Sequence, residues 1–111
     1  MSSSQTSPRR TIYKVRIMPS AERDLEEIYG YTAQDSPPAA AKFFHELRRK
    51  AETMERSPRR CAKIPEKIES EYEYRHLIVK KYRIIFRIIA DTVWVMRFYH
   101  GARQLDLPGL L

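Results

Sequence analysis

The stretch KKYRIIFRIIADTVWVMRFYHGAR, Lys80–Arg103, decides how the chain folds. Within it, YRIIFRII (82–89) and TVWVMRFY (92–99) are dense in β-branched and aromatic residues and part at Ala90-Asp91. Runs of that composition around a short break read as antiparallel strands of a hairpin. Both also carry cations, and Arg83, Arg87, Arg97, His100 and Arg103 are more than a core strand needs. Either this polar face is simply solvated or it is built to meet something negative.

Register sharpens the question. Ile84, Phe86 and Ile88 share one face of the first run, and Trp94, Met96 and Phe98 share one face of the second. Directly opposed residues lie on the same side of a sheet, and a slip of one residue exchanges the sides. A two-residue loop would set Arg87 against Trp94, whereas an odd loop, of three residues for example, aligns the apolar sets. The odd loop is therefore expected, with Arg83, Arg87, Arg97 and Tyr99 gathered on the face away from the apolar one.

Upstream, YEYRHLIV (72–79) and the break at Lys80-Lys81 add a third strand and complete a meander. Residues 58–71, PRRCAKIPEKIESE, are irregular, and Glu66, Glu69, Glu71 and Glu73 read as a solvated loop. Before them, Ala40, Phe43, Phe44, Leu47, Ala51 and Met54 recur at helical spacing, giving an amphipathic helix that runs to Ser57-Pro58. Ser36 is its candidate N-cap, and Pro37 suits its first position. A preceding helix carries Ala21, Leu25, Ile28, Tyr29 and Thr32 on one side, with Ser20 as candidate cap and Glu22 and Asp24 near its positive end.

The run TIYKVRIM (11–18) alternates, with Tyr13, Val15 and Ile17 on one side and Lys14 and Arg16 on the other, which is a half-buried strand. The order is β-α-α-β-β-β, and an apolar sheet face with two amphipathic helices closes only by packing together. The expected class is α+β, a small antiparallel sheet packed on an N-terminal helical hairpin. Residues 1–10, Ser-rich with Pro8, are expected to be disordered, and residues 11–111 to form a single domain.

Composition agrees. The chain of 111 residues is 42% hydrophobic and 32% charged, which suits one domain with one core. A net charge of +7 favours acidic partners: nucleic acid, an acidic protein or a membrane surface. A lone cysteine, Cys61, forms no internal disulfide and fits a reducing compartment. With only His45, His76 and His100 beside it, no metal-ligand spacing is present, and neither a metal nor a cofactor is expected. MSSSQTSPRR lacks the apolar stretch of a signal peptide, and no apolar run reaches about 18 residues, so a cytoplasmic location is expected.

Arginine forks suit phosphate and carboxylate alike. Arg75, Lys80, Lys81, Arg87, Arg97 and Tyr99 are therefore candidate contacts for a target or a phosphate, set against the plainer role of a solvated or charge-protected face. His100 beside arginines could move protons, although a lone histidine is more often structural. Tyr82 and Tyr99 could stack on bases or simply pack. No nucleophilic triad and no Gly-rich phosphate loop is present.

Four blocks in sequence, PSAERDLEEIYGYTAQDSP, AAAKFFHELRRKAETMERSP, YRHLIVKKYRIIFRI and VWVMRFYHGAR, resemble the RelE/ParE superfamily of bacterial toxin–antitoxin toxins from about Val15 to Arg103. The resemblance implies a toxin neutralised by a cognate antitoxin, as a homodimer or a toxin–antitoxin hetero-oligomer. It implies one of two activities: poisoning DNA gyrase, as ParE-like members do, or metal-free cleavage of messenger RNA on the ribosome, as RelE-like members do. In the RelE-like case Arg83 and Arg103 match phosphate-binding arginines and His100 is a candidate proton carrier. Those enzymes keep a tyrosine after the last arginine, and RQLDLPGLL has none. The long helical hairpin and the HGAR ending favour the ParE-like reading, a gyrase inhibitor rather than an enzyme. An inactive module that only binds antitoxin is the third option. The tail residues Leu105, Leu107, Leu110 and Leu111 are expected to pack on the helices.

Overall fold

The computed structural model describes residues 12–101. Arg103, the leucine-rich tail and the N-terminal stretch expected to be disordered lie outside the described residues. The order is β1 (Lys14–Ile17), α1 (Pro19–Ala33), α2 (Pro37–Glu52), β2 (Ala62–Lys63), β3 (Tyr74–Val79), β4 (Tyr82–Ile89) and β5 (Thr92–His100). The strands form one sheet in the order β1-β5-β4-β3-β2. The expected meander is β3-β4-β5. Two features were not anticipated. β1 joins the sheet parallel to β5, at the opposite edge from β2, to which the helical hairpin carries the chain. The irregular segment after α2 also contributes a short strand, β2, paired with His76 and Arg75.

The β4–β5 register corrects the sequence expectation. The turn is the two-residue Ala90-Asp91, so Ile89 pairs with Thr92 and Arg87 lies opposite Trp94. A bulge then leaves Met96 as the extra residue between Val95 and Arg97, and from there Ile85 pairs with Arg97, Ile84 with Phe98 and Arg83 with Tyr99. The helix-facing set of β5 is accordingly Val93, Val95 and Phe98, while Trp94 and Met96 belong to the other side. The register of the distal half is the one the apolar pattern asked for, and the bulge rather than a longer loop supplies the shift.

The proximal half tolerates the exchanged faces because both sides of the sheet are covered. On one side Leu25, Leu47, Ala51 and Met54 of the helical layer pack on Ile84, Phe86, Val93, Val95 and Phe98. On the other, Ile64 and Ile68 from the segment between β2 and β3 cover Tyr74, Ile85, Met96 and Tyr99, with Trp94 and Met18 alongside. The segment expected to be a solvated loop is thus a strap over a second, smaller core.

The helices begin as composition requires, with one difference. Ser36 accepts the amide of Ala39 at 3.3 Å and Pro37 sits in the first turn of α2. α2 ends at Glu52 and continues as a 3-10 turn, Thr53–Glu55, short of the expected Ser57-Pro58. α1 starts at Pro19 after Met18, without a side-chain cap. Ser20, expected there, instead donates its hydroxyl to the Met96 carbonyl at 2.9 Å. The reason lies in the sheet: β1 pairs with β5 only as far as Val95, and the backbone groups beyond it need other partners. The first turns of α1 supply them, for Asp24 also accepts the amide of Phe98 at 3.0 Å.

Candidate functional site

The arginines of the strands are not a bare cationic surface. Successive residues of a strand point to opposite faces, which sets Arg83 and Arg87 on the strapped side of β4. Arg83 is buried, its side chain 8% exposed. Its two terminal nitrogens hold the Glu66 carboxylate of the strap at 3.1 and 2.7 Å, a bidentate fork. His76 of β3 stands beside it, Nδ1 at 3.4 Å from the guanidinium. Burial lowers the pKa of His76, the Arg83 cation lowers it further, and Glu66 opposes both in part. Tyr99 lies directly across from Arg83 and is buried.

Arg87 donates to the Tyr74 hydroxyl at 3.1 Å, and its guanidinium lies 4.3 Å above the ring of Tyr72. Arg75 donates to the Cys61 carbonyl at 2.6 Å and to Glu73 at 2.7 Å, tying β2 and its approach to β3. Arg97 holds Asp24 of α1 through Nε at 2.6 Å and Nη2 at 2.9 Å, and stacks 4.7 Å from the Tyr99 ring. The hydrogen bond to Asp24 raises the pKa of Arg97 despite its burial, so the guanidinium stays charged.

Lys80 opens the β3–β4 turn with φ at 55°, reaches Glu46 of α2 at 3.1 Å and passes 5.5 Å from the Phe43 ring. Lys81 is exposed, and its carbonyl accepts the amide of Gly101 at 2.6 Å. His100 is exposed, its ring set edge-on to Tyr82 at 5.3 Å. Tyr82 in turn meets Phe43, so this pair belongs to the helix side of the sheet. Arg83 and His100 therefore point to opposite faces. The candidate set divides: Arg83, Arg87 and Tyr99 lie on the strapped side, His100, Tyr82 and Lys80 on the helix side, and Arg97, opposite Ile85 by register, reaches Asp24 of α1.

His100 also lines a cleft of about 180 Å³ with Asp24, Tyr31, Tyr82 and Phe98. A second, of about 430 Å³, opens between the helices among Tyr29, Ala41, Phe44 and His45. Sequence reasoning missed Glu66 and Asp24 as partners of the arginines. A carboxylate inside a Pro- and Glu-containing segment carries no local signal of what it will meet, and Asp24 could be read only as a favourable charge near a helix start. Among the described residues no group of three or more His, Cys, Asp and Glu is placed to hold a metal ion. No described helix is long and apolar enough to cross a membrane.

The family model described as "ParE toxin of type II toxin-antitoxin system, parDE" matches residues 15–105. No curated protein sequence matches the chain. Among solved structures, a chain of the chromosomal ParDE toxin–antitoxin system from P. aeruginosa superposes with a TM-score of 0.68 at 17% identity, covering 81% of this chain and 97% of that one. A chain of the RelBE2 toxin–antitoxin complex from Mycobacterium tuberculosis gives 0.60 at 24% identity, covering 84% and 95%. At these identities the two likenesses concern the fold.

Proposed function

Since the chain belongs to the ParE toxin family of type II toxin–antitoxin systems, we propose that it arrests growth by poisoning DNA gyrase and is neutralised by a cognate antitoxin. The observation that carries this reading is the family match across most of the chain. The site geometry supports contact with a protein target over phosphodiester cleavage. A nuclease needs a cation on the scissile phosphate and a proton carrier within reach of the same atoms. Here Arg83 is buried against Glu66, and His100 lies on the other side of the sheet. The ion pairs of Arg83 and Arg97, and the contacts of Arg87 with Tyr74 and Tyr72, make these side chains parts of the scaffold, and the toxin acts through what the scaffold presents. The antitoxin is a protein whose acidic or amphipathic segment complements a chain of net charge +7. Such a target places the action in the cytoplasm.

The test is DNA supercoiling by purified gyrase with the antitoxin-free protein added. The expected result is dose-dependent inhibition with accumulation of cleaved DNA, relieved by the antitoxin. Folded protein that leaves gyrase untouched but cuts messenger RNA on ribosomes would replace this reading with the nuclease one. Folded protein that does neither yet binds its antitoxin would reduce it to a binding module.

A further inference from the structure

With Arg75, Arg83, Arg87 and Arg97 engaged inside the chain, much of the excess positive charge is displayed elsewhere. Among the described residues, Arg48, Lys63, Arg75, Lys80, Arg83 and Arg97 have carboxylate partners within 4 Å. On α2, by contrast, Lys42, Arg49 and Lys50 are exposed and have no ion pair among the described residues. Lys42, His45, Glu46 and Arg49 form a stripe at helical spacing, and the β3–β4 turn brings Lys80 against it. Together these five line an open cleft of about 620 Å³. Its one carboxylate, Glu46, is already held by Lys80 at 3.1 Å. The patch ends at the C-terminus of α2, where Glu52 and Glu55 face Arg49 and Arg56 across the next cleft.

We propose that this cleft, with Lys42, Arg49 and Lys80 as its cations, binds the phosphodiester backbone of duplex DNA. The choice of duplex rests on the gyrase reading, in which the toxin meets an enzyme holding cleaved DNA. Two features favour a phosphate track over an acidic polypeptide. A protein-docking site buries an apolar centre inside a polar rim, whereas the five lining residues bring charged or polar heads on apolar stems and no wholly apolar side chain, and Lys80 lies over the nearby Phe43 ring. Lys42 and Arg49 are also seven residues apart, about 10 Å along the helix axis, a spread that lets them meet two phosphates of one strand at once. Contacts of this kind position the protein without reading sequence.

The experiment is fluorescence anisotropy of a short labelled duplex titrated with the full chain at several salt concentrations. With Lys80 held by Glu46, the expected slope of log K against log salt is about −2, from about −0.9 for each phosphate neutralised by Lys42 and Arg49. In a Lys42→Ala/Arg49→Ala variant it should shrink by about 2, with an unchanged circular dichroism spectrum. A Lys14→Ala/Arg16→Ala variant, on the exposed side of β1, should retain the wild-type slope. Absence of DNA binding, an equal loss in both variants, or a loss confined to binding of a poly-glutamate peptide would each overturn the assignment. Supercoiling assays on the same proteins separate the two ideas. Gyrase inhibition without DNA binding sinks the cleft and leaves the target, and DNA binding by a protein inert toward gyrase does the reverse.

Discussion

Asp24 shows how much one residue can organise. Its carboxylate accepts from Nε and Nη2 of Arg97 and from the Phe98 amide, joining α1 to the strand that β1 no longer flanks. Its side chain is 9% exposed and that of Arg97 17%, so removing the acid takes the main partner from a mostly buried cation. Asp24→Ala should cost about 3 kcal/mol, the lower end of the range for such a loss because Arg97 keeps some water. Guanidinium unfolding measures it, and a cost below about 1 kcal/mol would show that the pair holds little together. His76 gives a pH signature. Its pKa in the folded chain lies below the ordinary 6.5, from burial first and Arg83 second. As pH falls through 6.5 the unfolded chain takes up this proton before the folded one does, so its contribution to stability is present above that pH and lost below it. Thermal melts between about pH 7.5 and about pH 5.5 should therefore show a smaller fall in Tm for His76→Gln than for the wild type. Parallel curves would remove His76 as the cause. Both residues were visible in the sequence, and neither role was, because Arg97 lies 73 positions beyond Asp24 and burial belongs to no single position.

At the scale of elements, the helices were the most legible part. Ala40, Leu47 and Ala51 do face the core, and the Ser36-Pro37 start of α2 is where composition put it. Helical periodicity is local and follows directly from 3.6 residues per turn. The hairpins were located correctly but one register was not. Apolar alternation argued against a two-residue turn at Ala90-Asp91, and alternation is informative only when one face is wet. The turn is also strained: Ala90 sits at φ 55°, where a side chain crowds the backbone. Ala90→Gly should stabilise the protein by about 0.5–1 kcal/mol by relieving that crowding. A drop in the chemical denaturation midpoint would show that the turn depends on the methyl group.

The whole molecule is three layers deep: helical hairpin, sheet, strap. The strap is latched by Glu66 on Arg83, and neither side chain has much access to water. Buried pairs of this kind contribute little over apolar replacements, but a half-removed pair is costly. Glu66→Gln should then destabilise by about 3 kcal/mol, while Glu66→Met with Arg83→Met should return to within about 1 kcal/mol of the wild type. Limited proteolysis between residues 64 and 73 provides a second readout, with faster cleavage expected for the single variant only. Equal destabilisation of both variants would mean that Arg83 is held by something other than the latch.

Local patterns in the chain were sufficient for the two helices, the β3-β4-β5 meander, the α+β class and the family likeness, since each depends on neighbours a few residues apart. Tertiary structure alone set the parallel entry of β1, the bulge at Met96 and the fate of the arginines. The physical reason is that a cation's role depends on which carboxylate reaches it. Asp24 and Glu66 reach theirs only when helix and strap close over the two faces of the sheet. Closure turned Arg83, Arg87 and Arg97 inward, into the scaffold, and left the cations of α2, β1 and the turns to carry charge outward.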